Sequence, residues 1–343
     1  MDKQEKKYSI EEIAKLSGVS KATVSRVINN NPHGVSEKTK KRVQQVIDNL
    51  NYRPNVLARS IALNKSNMIG LIVPDVANFF YPTIIRSVTD YMSSKNYSVL
   101  LANSDYEPEK EASELLGMID KRVDGIILCS GVSNSLFLRK FREYKIPIAL
   151  LGRTFDSSLS DVSISGNNEI GGYKSAKFLL DGGNRKIVYI EGNPGISGSQ
   201  QRLRGYKRAL NESGITIDPA LIINGEYSIT FGKKTVDVLL DNGIEFDAIM
   251  TGSDLIAIGA VSELIKRGIQ IPEEKEVIGF DNIELSSVFY PPLTTISKPH
   301  YDMAQHLSRQ LINAIEGRKI NLPHTVVEPF LVERETTRKR EHK

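Results

Sequence analysis

Between Tyr8 and Asn30 the chain reads YSIEEIAKLSGVSKATVSRVINN, a stretch that leaves few folds open. Ile10, Ile13 and Ala14 are spaced i, i+3, i+4, and Val24, Val27 and Ile28 repeat that spacing, so each segment carries one narrow apolar stripe. Stripes this short bury themselves only against each other and a third helix. Gly18 lets the chain turn where a Cβ would clash, and the Ser20 hydroxyl is placed to cap the next helix. The expected motif is a helix-turn-helix with Lys21 to Asn29 as its second helix. A cap at Ser20 puts Lys21, Ala22, Ser25 and Arg26 opposite the buried face. Arg26 suits a bidentate pair with guanine, Ala22 a thymine methyl, and Lys21 a base edge or phosphate. Thr23 and Ser25 suit phosphate contacts, which set position and not sequence.

After a loop through Asn30, Asn31, Pro32 and Gly34, Ser36 is the expected cap of a third helix. There Val43, Val46, Ile47 and Leu50 recur at helical spacing and close the small core. Lys38, Lys40, Lys41 and Arg42 cluster near its start, a charge run favouring phosphate beside such a motif. Pro54 disfavours helix in the residue before it, so Tyr52 to Asn55 is the stop. Val56 to Leu63 has room for two helical turns after Asn55, too few to be stable alone.

IEEIAKLSGVSKATVSRVIN followed by VSEKTKKRVQQVIDNLNYRPNVLARSI resembles the DNA-binding segment of the lactose/galactose repressor family over its whole length. The resemblance implies that Val56 to Leu63 is a hinge helix, formed when two subunits pair over the minor groove of an operator. A leucine wedge then kinks the DNA, and its matching position here is Ile61, of similar volume but branched and stiffer. Candidate DNA contacts are therefore Ser20, Lys21, Ala22, Thr23, Ser25, Arg26, Asn29, Tyr52, Asn55, Ala58 and Ile61.

Charge follows the same division. Residues 1–66 hold 13 Lys and Arg against 6 Asp and Glu, a balance of +7; the whole chain carries +4, so the remainder carries −3. Such asymmetry fits a module that meets phosphates, attached to a body that does not. No apolar run is long enough to cross a bilayer, and the charged start, MDKQEKKYS, reads as no signal peptide, so a cytoplasmic protein is expected. The single cysteine, Cys129, lies in the apolar run GIILCS and reads as a buried thiol. Five histidines show no metal spacing, and neither a metal nor a cofactor is expected.

From Met68 onward short apolar runs (Ile69–Pro74, Tyr97–Ala102, Gly125–Cys129, Pro147–Leu151, Lys186–Ile190, Ala248–Met250, Val277–Phe280) alternate with segments of helical spacing. The helical segments include Tyr81–Ser94, Glu107–Lys121, Glu169–Leu180, Gln201–Ser213, Ser228–Leu240 and Asp254–Lys266. This pattern implies parallel sheets covered on both faces, and its length two α/β lobes. The resemblance makes this a periplasmic-binding-protein-like core of two doubly wound lobes behind an all-α helix-turn-helix domain. Expected boundaries are 1–54 for the DNA-binding domain, 55–66 for the hinge and 67–343 for the core. The N-lobe spans about 67–165 and 298–325, and the C-lobe about 166–297 and 326–337, with crossings near Asp161 to Ser165, near Ser297 and near Asn321 to Val327.

Polar residues gather at successive strand ends, where such folds hold ligands. The candidates are Asp75, Phe80, Tyr81, Arg153, Arg202, Tyr227, Ser253, Asp254 and Asp281. By resemblance Arg202 and Asp281 match a paired arginine and aspartate that bind effector hydroxyls or carboxylates, and Phe80, Tyr81 and Tyr227 match aromatic contacts. Gly152 replaces an aspartate carried by many relatives, and with Arg153 and Arg202 nearby an anionic effector, a sugar acid or sugar phosphate, joins neutral sugars as a candidate.

The expected protein is a homodimeric, effector-controlled repressor of palindromic operator DNA. The C-terminal residues hold no leucine heptads for a tetramerising coil. A phosphorylated carrier protein docking on the N-lobe is the alternative regulatory input. A sugar-binding receptor is a second class, disfavoured by the DNA module. An enzyme is a third: there is no G-x-S-x-G, P-loop or H-E-x-x-H, and GISGS lacks the last glycine of a nucleophile elbow.

Overall fold

The computed structural model describes residues 8–28, 33–52, 65–129, 135–152 and 157–340. The chain divides into two compact units, Met1–Ser66 and Asn67–Lys343. In the first, three helices form: α1 (Ile10–Ser17), α2 (Lys21–Ile28) and α3 (Glu37–Asn49). Ser9 opens α1 reciprocally: its hydroxyl accepts from the Glu12 N–H at 3.2 Å, and the Glu12 carboxylate accepts from the Ser9 N–H at 2.7 Å. Gly18, at φ 62°, ends it in the left-handed region. Ser20 accepts from the Thr23 N–H and Ser36 from the Thr39 N–H, each at 3.2 Å, so both expected caps are formed. Ile13, Val24, Val27 and Val43 are buried at the centre, ringed by Val46, Ile47, Leu50 and Tyr52.

The second unit holds two six-stranded sheets. Its first half runs β1 (Met68–Val73), α4 (Tyr81–Ser94), β2 (Ser98–Asn103), α5 (Pro108–Asp120), β3 (Gly125–Leu128), α6 (Ser135–Phe141), β4 (Ile148–Leu151) and β5 (Val162–Gly166). There follow α7 (Asn168–Asp181), β6 (Ile187–Ile190), α8 (Ser197–Glu212), β7 (Ile222–Ile223), α9 (Ile229–Asp241), β8 (Ala248–Thr251), α10 (Asp254–Lys266) and β9 (Glu276–Phe280). The chain continues through α11 (Glu284–Val288), β10 (Thr295–Ser297), α12 (His300–Ile315), β11 (His324–Val327) and β12 (Phe330–Val332).

The N-lobe sheet has the order β11-β5-β4-β3-β1-β2, all pairs parallel, and the C-lobe sheet β12-β10-β9-β8-β6-β7, parallel except for β12 against β10. Central strands such as GIIL in β3 and IALL in β4 are buried along their whole length, as helices on both faces require. Among the described residues no helix is long and apolar enough to cross a membrane.

The lobes are joined where the chain leaves β5, β10 and β11. Val327 pairs with Gly166, and the Asn167 N–H donates to the Val327 carbonyl at 2.9 Å, so the first and third crossings start from the same rung of the N-lobe sheet. They fall just after Gly166 and Val327, slightly later than sequence placed them, because the final pair of that ladder holds both strands in the N-lobe. Apolar runs do not reveal β10, β11 and β12: β10 has three residues, and the other two are sheet-edge strands with exposed and half-buried side chains.

Candidate functional site

The first candidate surface is the face of α2 turned from its core. Lys21, Ala22 and Arg26 are exposed while Val24 and Val27 are buried, the division that a cap at Ser20 dictates. Lys21 is paired with the Glu11 carboxylate of α1, both side chains more than half exposed, a contact of small energetic worth that a phosphate can displace. The Thr23 hydroxyl lies 3.0 Å from that of Ser20. Ser25 is half-buried, and Lys38, Lys41 and Arg42 of α3 are exposed. Tyr52 is half-buried: it packs against the helical core, and burial raises the phenol above its usual range. Asn29, Asn55, Ala58 and Ile61 lie outside the described residues.

The second candidate is a cavity between the lobes of the core. Asn78, Phe80 and Tyr81 enter it from the start of α4, and Tyr106 from the loop after β2. Asn168, Gly198, Arg202, Tyr227 and Asp281 enter from the C-lobe, and Lys298 and His300 from the β10–α12 crossing. Arg202 is 7 % exposed. Its Nη2 donates to the Tyr227 hydroxyl at 2.7 Å and its Nη1 to Asn168 Oδ1 at 3.4 Å. Buried around it, the Tyr189 hydroxyl stands near the Arg202 guanidinium and Ser199 faces the Glu191 carboxyl.

Lys298, 8 % exposed, places Nζ 3.5 Å from Asn168 Oδ1 and 3.9 Å from the Asp281 carboxylate. Its chain fits only because Gly166 faces it: a Cβ there would stand 2.2 Å from Lys298 Cδ. Both cations lie 4.7 Å from the centre of the Phe280 ring. Asp281 sits at φ 108°, a backbone region costly for a side-chain-bearing residue, held by its N–H to the Ile296 carbonyl at 2.8 Å and by His300 Nε2, 3.1 Å from its own carbonyl.

Burial dominates the ionisations. It lowers Lys298 to about 8 against the opposing pull of Asp281, lowers His300 to about 3, and raises Asp281 above the usual carboxylate range despite Lys298 and Arg202. Each member of the Lys298–Asp281 pair thus leans toward its neutral form, as expected when 3.9 Å separates them and desolvation outweighs attraction. Aromatic rings complete the walls: Phe80 meets Tyr81 and His300 edge-on at 4.9 and 4.7 Å, and Tyr106 faces Tyr227 at 6.1 Å.

Of the effector candidates, Phe80, Tyr81, Arg202, Tyr227 and Asp281 line this cavity. Asp75, Ser253 and Asp254 do not. The Asp75 carboxylate accepts from the Ala77 N–H at 2.9 Å and shapes the turn after β1. Ser253 caps α10. Asp254 is buried and accepts from the Ile283 N–H at 2.8 Å and the Thr295 hydroxyl at 2.5 Å, so it ties α10 to the strand region beside it. Arg153 lies outside the described residues. Sequence reading missed Tyr106, Asn168, Lys298 and His300, which follow no motif; the lysine in SKPH, next to a short buried strand, was the available signal. Among the described residues no cluster of His, Cys, Asp or Glu is placed to hold a metal.

Comparison with known proteins gives two family matches. Residues 9–55 match bacterial regulatory proteins of the lacI family, and residues 66–339 match the periplasmic binding proteins and sugar binding domain of the LacI family. Similar relatives include HTH-type transcriptional regulator RegA of Clostridium saccharobutylicum, 36% identical over 331 residues (96% of this chain, 99% of the relative). Catabolite control protein A of Priestia megaterium is 33% identical over 324 residues (93% and 97%). Among solved structures, the Lac repressor bound to ONPG in its repressed state superposes with a TM-score of 0.85 at 25% identity, covering 97% of this chain and 100% of that one.

Proposed function

Since the chain belongs to the LacI family of bacterial regulatory proteins and is a transcription regulator with a sugar-binding-type core, we propose that it represses as a homodimer on palindromic operator DNA under the control of a small carbohydrate-type effector. The observation that carries this reading is the pairing, in one chain, of an exposed Lys21, Ala22, Arg26 face with a cavity lined from both lobes of the core.

On this reading Arg26 and Ala22 read base edges, while Lys21, Thr23, Ser25 and the α3 lysines hold phosphates. The effector lies against Phe80, Tyr81 and Tyr227 and is clamped by Arg202 and Asp281. Because the clamp and the N-lobe aromatics belong to different lobes, a ligand touching both favours one relative position of the lobes. It shifts operator affinity only by its difference in affinity for the two states. The protein works where the chromosome is, in the bacterial cytoplasm, and is bound to the nucleoid when it represses.

The test is titration of the purified full chain against palindromic and scrambled duplexes over a range of salt. Tight binding to one palindrome, with affinity falling steeply as salt rises, is the expected result. Equal affinity for every duplex at physiological salt overturns the reading.

A further inference from the structure

The cavity carries more positive charge than a neutral sugar needs. Arg202 and Lys298 both line it, and Asp281 is the one carboxylate among its described lining residues. Three further acids stand behind the walls without lining the cavity: Asp254 is near Asp281, Asp75 is near Tyr106, and Glu191 is buried beside Ser199 and Arg202, where burial pushes its carboxyl above the usual range. Both cations are more than nine-tenths buried, where an unmatched charge is costly.

Their present contacts leave capacity unused. Arg202 meets only neutral acceptors, among them Tyr227 and Asn168, and among the described residues no carboxylate stands within the 4.0 Å of an ion pair with it. Lys298 has three donors, and its Nζ stands 3.5 Å from Asn168 Oδ1 and 3.9 Å from the Asp281 carboxylate. The N-terminus of the 16-residue helix α8 opens on the same spot: Ile196 at its cap offers no side-chain acceptor, and a Cβ on Gly198 would lie 3.9 Å from Arg202 Nη1. The helix dipole therefore adds to the two cations.

We propose that the effector is an acidic sugar derivative whose anionic group, carboxylate or phosphate, sits between Arg202 and Lys298 at the start of α8, with its carbon skeleton against Phe80, Tyr106 and Tyr227. This rests on the reading of the cavity as the effector site. Lys298 lies on a crossing between the lobes, so the anion that engages it contacts one of the connections that join them.

The experiment is calorimetric titration of the full-length protein with matched neutral and acidic compounds: aldohexoses, their aldonates, their uronates, their 6-phosphates and inorganic phosphate. At least one acidic sugar is expected to bind ten times or more tighter than its neutral parent, and Lys298→Met to bring the two affinities to within about threefold of each other, whatever its effect on the parent. The wild-type comparison stands even if the variant does not fold. A neutral sugar binding as tightly as its acidic derivatives overturns the proposal and leaves the effector site intact. Inorganic phosphate matching the acidic sugars also overturns it, because the skeleton then contributes nothing. Silence from every compound, with operator binding retained, overturns both the proposal and the carbohydrate-effector reading on which it rests.

Discussion

Two glycine-to-alanine substitutions, each inside a helix of the core, should change stability in opposite directions. In α8, a Cβ on Gly205 would stand 2.0 Å from the Glu169 carbonyl oxygen and 2.5 Å from the Tyr173 nitrogen, both backbone atoms of α7. Ordinary contact needs about 3.4 Å, so α8 must retreat by roughly 1 Å or more, and rigid helix backbone gives way poorly. Gly205→Ala gains about 1 kcal/mol in helix propensity and loses about 3 kcal/mol, the upper end of overpacking costs, for a net loss of about 2 kcal/mol. In α5, a Cβ on Gly117 would meet only the flexible tip of Lys121, at 3.4 Å. Gly117→Ala keeps the propensity gain and should stabilise by about 0.5–1 kcal/mol.

Thermal unfolding of the core, followed separately from the helical unit, reads both. A unit of this size shifts by roughly 2–4 °C per kcal/mol, so Gly205→Ala should lower its midpoint by about 4–8 °C and Gly117→Ala should raise it slightly. Arg202 lies one turn before Gly205 on α8, so the first variant should also weaken effector binding, and the second should not. A Gly205→Ala protein as stable as the wild type would refute the reasoning, since backbone contact would then not set the α7–α8 spacing.

Three further outcomes are expected. Arg26→Ala should cost roughly 1–3 kcal/mol of operator affinity and relax preference at one base position, whereas Lys41→Ala should weaken all duplexes about equally, both read by binding to single-base operator variants. Asp254→Ala leaves the Ile283 N–H and the Thr295 hydroxyl without their acceptor and should destabilise the core by roughly 2–5 kcal/mol in urea titration, with the folded variant keeping its effector affinity. Lys298 binds its proton less tightly folded, at about 8, than unfolded, near 10.5, so the unfolded chain holds more protons between those values. Stability relative to Lys298→Met should therefore rise by roughly 3 kcal/mol between pH 8 and 10.5 and be flat below, in denaturant melts across that range.

Local patterns were sufficient for the reader domain and for the alternation of the core. Ser20 and Ser36 cap their helices, and Gly18 turns with positive φ, because these depend on residues within one turn of each other. Parallel sheets follow from continuous apolar runs such as GIIL and IALL, which need cover on both faces. Even Phe80, Tyr81, Arg202, Tyr227 and Asp281, singled out at strand ends or through family resemblance, meet in one cavity.

What sequence could not decide is which polar residues face that cavity and which are spent on the scaffold. Asp254 and Asp281 both sit just past an apolar strand, yet one ties α10 to its neighbours while the other faces Arg202 and Lys298. Lys298, 130 positions from Asn168, reaches it only because β10 and β5 deliver the two crossings side by side and Gly166 leaves room for its chain. The sequence alone determined the helical reader and the strand–helix alternation of the core, since hydrophobic periodicity and capping act over a few residues. Tertiary structure decided the charge balance of the cavity, because that balance comes from residues brought together across the lobes by long-range strand pairing.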